Sequence, residues 1–271
     1  MGKTLRRPIS RGLTRRPNSQ PQPPQPQQPN WEHYVKPSAP GLPGTVEWAE
    51  RYTFPSAPAS PLLPKIIHQI WIGPKPAPEQ WMRSWREKNP SWQYTMWDNK
   101  LCGETRFTCQ KQIDEMPEWN GKADIIRYEI LQRIGGLCFD ADSECLLPLD
   151  DHFLGHKAFA CYENEQHLPG LIASGYLASE PNGRLMSEAV SRIARGVPPG
   201  PAFSTLGPIF LTRMVRDLGG TEGADLYVYP ARVFIPRHHY NSCTAVAPGT
   251  AQSYANQFWG STIGYPDPPT T

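Results

Sequence analysis

Four side chains that could do chemistry together fall within one short stretch: Asp124, Arg127, Asp140 and Asp142. Asp140 and Asp142 are carboxylates at i and i+2. On an extended strand such residues point the same way, and at a strand end they can share one ligand. A hard divalent cation, Mn2+ or Mg2+, suits two carboxylates so placed. Without a cation the pair would repel. With a diphosphate present, a cation bridges carboxylate to phosphate oxygens and neutralises charge on a leaving group. The plain alternative is a solvated acidic turn after a strand. Asp124 and Arg127 lie three apart in a helical pattern, hence on one face. Exposed, they would form a surface salt bridge of little energetic weight. Held beside a cation–diphosphate site, they could hydrogen-bond hydroxyl groups of a ligand.

The elements that must position these residues are legible around them. NGKADIIRYEILQRIGG (120–136) reads as a helix, with Ala123, Ile126, Ile130 and Ile134 on one apolar face. Gly135 and Gly136 supply a left-handed stop. LCFDAD (137–142) follows as a strand whose polar end, Asp140–Asp142, emerges at the carboxyl edge of a sheet, where α/β proteins bind ligands. Upstream, residues 65–72 predict a buried strand, 78–88 a helix with Pro78 near its first turn, and 91–98 a strand with Trp92, Tyr94 and Met96 on one face. Downstream, 157–163, 171–179 and 226–236 read as strands, and 183–195 and 208–218 as helices. The alternation predicts a three-layer α/β fold with a mainly parallel sheet.

Residues 1–60 differ in character. They hold 12 of the 32 prolines, with the tract PNSQPQPPQPQQPN, and carry a net charge of +5. This segment reads as a disordered, basic, Pro/Gln-rich arm, and residues 61–271 as the folded domain. Trp31, Tyr34, Trp48 and Tyr52 either dock on the body or serve as linker aromatics. The remaining residues carry a net charge of −3, so no nucleic-acid partner is expected. No apolar run approaches the ~18–20 residues of a membrane span, and the start lacks the apolar stretch of a signal peptide. Cytoplasmic residence is the default expectation, with peripheral membrane contact through the basic arm left open. None of the six cysteines forms a C-x-x-C pair, and buried free thiols are expected. His68, alone in an apolar strand, reads as structural.

The run KADIIRYEILQRIGGLCFDADSECLLPLD resembles the DXD sugar-binding region of family 32 glycosyltransferases, whose pattern is approximately [AS]-D-x-x-R-Y-x-x-L-x-x-x-G-G-x-Y-x-D-x-D. PKIIHQIWIG and NPSWQYTMWD resemble the family's first two strands, and STLGP and VYPARVFIP resemble later segments. The resemblance spans about residues 62–263. It implies a GT-A fold, a UDP- or GDP-linked sugar as donor, a glycan, glycolipid or protein acceptor, a metal (usually Mn2+), and retention at the anomeric carbon. Asp142 corresponds to the direct metal ligand and Asp140 to a group reaching ribose or metal. Asp124 and Arg127 match donor-sugar positions, and Trp71 resembles the aromatic that stacks on the base. No carboxylate nucleophile stands out, which favours front-face attack.

The sequence also departs from that pattern. Cys138 stands where relatives carry Tyr, Ser174 where Asn is frequent, and Thr262 where Trp would stand. SYANQFWGSTI places Asn256 or Gln257 near a His that completes the metal shell in relatives, and Asn256 is the metal-ligand expectation. These departures leave room for a non-catalytic sugar-nucleotide-binding relative, and the basic Pro-rich arm leaves room for a second rival, an interaction module acting through it.

Overall fold

The computed structural model describes residues 41–239 and 252–260. Within them, α1 (Val46–Arg51) precedes β1 (Ile66–Ile70), α2 (Glu79–Lys88), β2 (Gln93–Trp97), α3 (Asn99–Glu104), α4 (Gln110–Glu115), α5 (Trp119–Arg133), β3 (Gly136–Phe139) and β4 (Ser143–Cys145). Then come β5 (Ala158–Asn164), β6 (Leu168–Ser179), α6 (Arg184–Arg195), α7 (Ala202–Thr205), α8 (Pro208–Asp217), α9 (Gly220–Gly223), β7 (Leu226–Tyr229) and β8 (Ala255–Gln257).

The main sheet has the order β2-β1-β3-β6-β5-β7. Five strands run one way, and β6 runs antiparallel to both β3 and β5. The mainly parallel sheet with flanking helices agrees with the GT-A expectation, and the reversed β6 is a detail that alternation of elements does not reveal. Side chains alternate across the sheet as strand geometry requires. Leu137, Phe139, Phe159 and Tyr176 join an aromatic cluster on one face with Trp85, Phe153, Phe234 and Tyr254. Cys138, Ala158, Ala160 and Leu177 join the other cluster with Ile126 and Tyr128 of α5, Met186 of α6 and Met214 of α8. Each fully buried large side chain contributes about 1.5–3 kcal/mol.

Two glycines make the α5–β3 turn. Gly135 and Gly136 have φ +72° and +96°, the left-handed region that glycine adopts without strain. A Cβ on Gly136 would come within 2.7 Å of the Ile66 carbonyl oxygen, so glycine lets β3 enter the sheet against β1. His68 locks the same junction. Its Nε2 donates to the Gly135 carbonyl at 2.9 Å, and its Nδ1 accepts from Trp97 Nε1 at 3.1 Å. Burial lowers its pKa to about 4, only partly offset by the Gly135 bond. His68 is therefore neutral and structural.

Several expectations change. Helix α5 has no single apolar face: Asp124, Arg127 and Glu129 are buried along with Ile125, Tyr128 and Leu131, while Ile134 is exposed. The reason lies in its neighbours. Glu129 accepts from the backbone N–H groups of Thr108 and Cys109, so a charged residue is satisfied in the interior. On β2 the buried side chain is Trp97, whereas Tyr94 and Met96 are half-buried. The expected strand over 226–236 stops at Tyr229, because Pro230 and a 3-10 turn at Ala231–Val233 intervene.

Ordered structure begins before residue 61. Ala49 is buried, Trp48 and Tyr52 dock on the body, and Arg232 Nη1 donates to the Ala49 carbonyl at 2.7 Å. Docking is thus the outcome for Trp48 and Tyr52; Trp31 and Tyr34 lie outside the described residues, as do Cys243 and Thr262. The five described cysteines are free, four of them buried. Among the described residues, no helix is long and apolar enough to cross a membrane.

Candidate donor-binding site

β3 ends at Phe139, so Asp140 and Asp142 lie in the turn between β3 and β4 rather than on an extended strand. The backbone anchors that turn. Asp140 N–H donates to the Gly175 carbonyl at 2.8 Å, and the Asp140 carbonyl accepts from Gln69 Nε2 at 3.1 Å and from Ser143 Oγ at 2.5 Å. Helix α2 holds the far side: Trp85 Nε1 donates to the Ser143 carbonyl at 3.0 Å. Gly175 faces the Asp140 carboxylate so closely that a Cβ there would overlap it.

Arg127 joins three of the elements. Its Nη1 donates to Asp124 Oδ1 and to the Ser174 carbonyl, each at 2.7 Å, and its Nη2 pairs with Asp140 Oδ1. The Arg127 side chain is 6% exposed and that of Asp140 31%, so this is an interior ion network opening to solvent at Asp140. Burial raises the Asp124 carboxyl to about 7, with Arg127 opposing and Asp140 adding to the rise. Burial also works against the Arg127 charge, but Asp140 and Asp124 outweigh it and raise its pKa overall. Arg127 Nε makes no hydrogen bond. Burial lifts the Cys138 thiol to about 11, against the pull of the neighbouring Arg127, so it is a neutral filler beside the guanidinium.

Asp142 is raised to about 6, first by burial and then by Asp140. The strand β8 answers that cost. Paired antiparallel with β4, it brings Gln257 opposite Ser143. Gln257 Nε2 donates to Asp142 Oδ1 at 2.9 Å and lies 3.4 Å from Asp140 Oδ2. Its Oε1 accepts from Tyr176 OH at 2.7 Å, and Gly260 N–H donates to Asp142 Oδ2 at 2.6 Å. Asn256 is the neighbour on β8, opposite Glu144. Strand alternation puts it on the other face. The structure thus brings Gln257, and not the expected Asn256, to the acidic pair.

Two neighbouring carboxylates, whose oxygens keep acceptor sites beyond the bonds they make here, fit a divalent cation. The Gln257 amide turns its Nε2 and not its oxygen toward them, so it would not be a ligand. They do not make a closed protein cage: among the described residues, no group of three or more His, Cys, Asp or Glu is placed to hold a metal.

Trp71 follows β1 at the same carboxyl rim. It is half-buried, and its Nε1 donates to the Lys75 carbonyl at 2.9 Å. Ser174 contributes its carbonyl to Arg127 and lines a cavity with Asp140, Glu163, Tyr176, Gln257 and Trp259. Trp259 has φ +57°, a strained conformation for a bulky residue. Sequence reasoning misses Glu163 and Trp259, and it prefers Asn256 to Gln257. Glu163 lies in an otherwise apolar strand pattern, and the partners of β8 lie over a hundred residues away. A larger cavity of about 440 Å³ lies at the β7 edge, lined by Trp48, Tyr52, Tyr162 and Tyr227. It contains none of the acidic network, and the chemistry belongs to the smaller cavity.

Comparison with known proteins gives likenesses for the stretch that carries this network. Residues 78–160 match the family model described as the glycosyltransferase sugar-binding region containing the DXD motif, a stretch that holds Asp124, Arg127, Asp140 and Asp142. The chain is similar to inositol phosphoceramide mannosyltransferase 3 of Schizosaccharomyces pombe, 34% identical over 98 residues, covering 34% of this chain and 27% of the relative. It is also similar to mannosyl phosphorylinositol ceramide synthase SUR1 of Saccharomyces cerevisiae, 28% identical over 174 residues, covering 58% of this chain and 43% of the relative. Its matches therefore span less than half the length of these relatives. Among solved structures it is similar to the PaToxG glycosyltransferase, with a TM-score of 0.43 and 19% identity, covering 59% of this chain and 71% of that one.

Proposed function

We propose that the protein is a retaining hexosyltransferase that moves a sugar from a nucleotide sugar, UDP- or GDP-linked, to a hydroxyl acceptor. The observation that carries this is the Asp124–Arg127–Asp140 network beside Asp142 at the sheet rim. The names of the relatives favour mannose as the sugar and an inositol phosphoceramide-type glycolipid as the acceptor.

In this reading Asp142 and Asp140 would hold Mn2+ or Mg2+, which would supply Lewis-acid neutralisation of diphosphate charge. Arg127 is a fixed positive charge facing the same region, and charge that is already in place costs no reorganisation as the diphosphate departs. Asp124 keeps the guanidinium in its plane and accepts from it, leaving Asp140 and Asp124 to orient sugar or ribose hydroxyls. Trp71 offers a ring face to the base at the rim. Gln257 fixes the Asp142 carboxylate, and Tyr176 fixes the orientation of the Gln257 amide.

The test is a donor screen. Full-length protein is incubated with UDP- and GDP-linked glucose, galactose, mannose and N-acetylglucosamine, with Mn2+, Mg2+ or chelator, and free nucleoside diphosphate is measured. Hydrolysis or transfer of one donor, abolished by chelator, is expected. Binding of a donor with no turnover under any metal would favour the non-catalytic alternative.

A further inference from the structure

The ion network leaves one carboxylate in the cavity unaccounted for. Glu163 lies one residue from the C-terminal end of β5 and is 4% exposed, yet it lines the same cavity as Asp140, Ser174, Gln257 and Trp259. Strand β6 separates β5 from β3. With strands about 4.8 Å apart, the axes carrying Glu163 and leading to Asp140 are about 10 Å apart, and both acids line the cavity at that rim. Glu163 Oε1 is 3.4 Å from His238 Nε2. A good charge-assisted bond is about 2.7–2.9 Å, so this contact leaves most of the acceptor capacity of Glu163 unused. A buried carboxylate with so little hydrogen bonding is costly.

The other acids of the site already have partners, and the donor-site reading gives Asp140 and Asp142 to the cation. Asp124 and Asp140 are bound to Arg127, and both Asp142 oxygens accept, from Gln257 and Gly260. What enters beside Glu163 should therefore bring hydrogen-bond donors and no negative charge. The cavity encloses about 70 Å³. That admits part of a sugar and not a whole nucleotide sugar. Its other walls, Ala173, Pro208 and Ile235, are apolar and suit the C–H faces of a sugar.

Resting on the donor-site reading above, we propose that Glu163 is a specificity-determining residue that accepts hydrogen bonds from hydroxyls on the edge of the donor hexose remote from the diphosphate. His238 positions it.

Calorimetry on the full chain with Mn2+ tests this, using UDP, GDP and their hexose conjugates. For whichever conjugate binds, Glu163→Gln should weaken the nucleotide sugar by about ten-fold or more, the range for a charge-assisted bond, and leave the free nucleoside diphosphate within two-fold. A matched thermal melt reports whether the variant folds. A second arm needs no variant: the wild-type chain is titrated with the same donor lacking single sugar hydroxyls. At least one deoxy donor should bind about ten-fold more weakly, and it should lose nothing further in Glu163→Gln. Equal weakening of diphosphate and sugar conjugate would make Glu163 structural and overturn the proposal. So would deoxy donors that all bind like the parent. If the wild-type chain binds neither diphosphate nor conjugate, the donor-site reading itself fails, and the role of Glu163 falls with it.

Discussion

Gly175→Ala should separate activity from stability. The Cβ of alanine would sit 2.8 Å from the Asp140 carboxyl carbon, where ordinary contacts begin at 3.4 Å. The Asp140 Oδ2 would lie closer still, so the carboxylate must retreat by about 1 Å, and its Oδ1 is pinned by Arg127. It either drags the guanidinium with it or abandons the ion pair. Misplacement of about 1 Å in a reacting site costs up to about 100-fold in rate, so turnover should fall by roughly 10- to 100-fold. Stability should fall by less than about 3 kcal/mol, the cost of a broken buried network, because the guanidinium can follow the carboxylate. Gly175 is not among the positive-φ glycines, so alanine fits the backbone and restricts the unfolded chain, which contributes about 0.4–1 kcal/mol. The assay is donor hydrolysis with Mn2+ alongside urea denaturation. A stable Gly175→Ala with wild-type turnover would refute the view that the Asp140 position is critical.

Two further outcomes follow from the interior charges. Arg127→Lys cannot reach Asp124, Asp140 and the Ser174 carbonyl at once, because an ammonium lacks the planar fork. Breaking that buried network should cost about 3 kcal/mol in urea denaturation and remove detectable donor turnover; an unchanged midpoint would show the network to be dispensable. His68 makes stability depend on pH. Its folded pKa of about 4 lies below the ordinary 6.5, so the unfolded chain takes up a proton first. The contribution of neutral His68 is complete above pH 6.5 and is lost as pH falls toward 4, by up to about 3 kcal/mol. His68→Gln should flatten that slope in a pH series of melts, and an unaltered slope would assign it elsewhere.

The elements nearest the chemistry were legible because their signals are local. Four isoleucines between Pro64 and Gly73 mark β1, Pro78 and the Trp81–Trp85 spacing mark α2, and Gly135–Gly136 mark the end of α5. What stayed hidden is non-local. Nothing near Asp124, Arg127 or Glu129 announces that all three are buried, because their partners lie in β6, the β3–β4 turn and the start of α4. Strand β8 has three residues and finds its partner more than a hundred positions earlier, so the choice between Asn256 and Gln257 was a one-residue register question that only pairing could answer. Helix α3 is short, and its one cue is Asp98, whose carboxylate caps Leu101 N–H at 2.8 Å.

The central claim is that Asp140 and Asp142 together hold a cation that anchors the donor diphosphate. Manganese titrated calorimetrically into the protein, with and without UDP or GDP, tests it most directly when wild type is compared with Asp140→Asn/Asp142→Asn. The account predicts saturable Mn2+ binding that tightens with one nucleoside diphosphate and disappears in the folded double variant. Equal Mn2+ and nucleotide binding by the two proteins would contradict it.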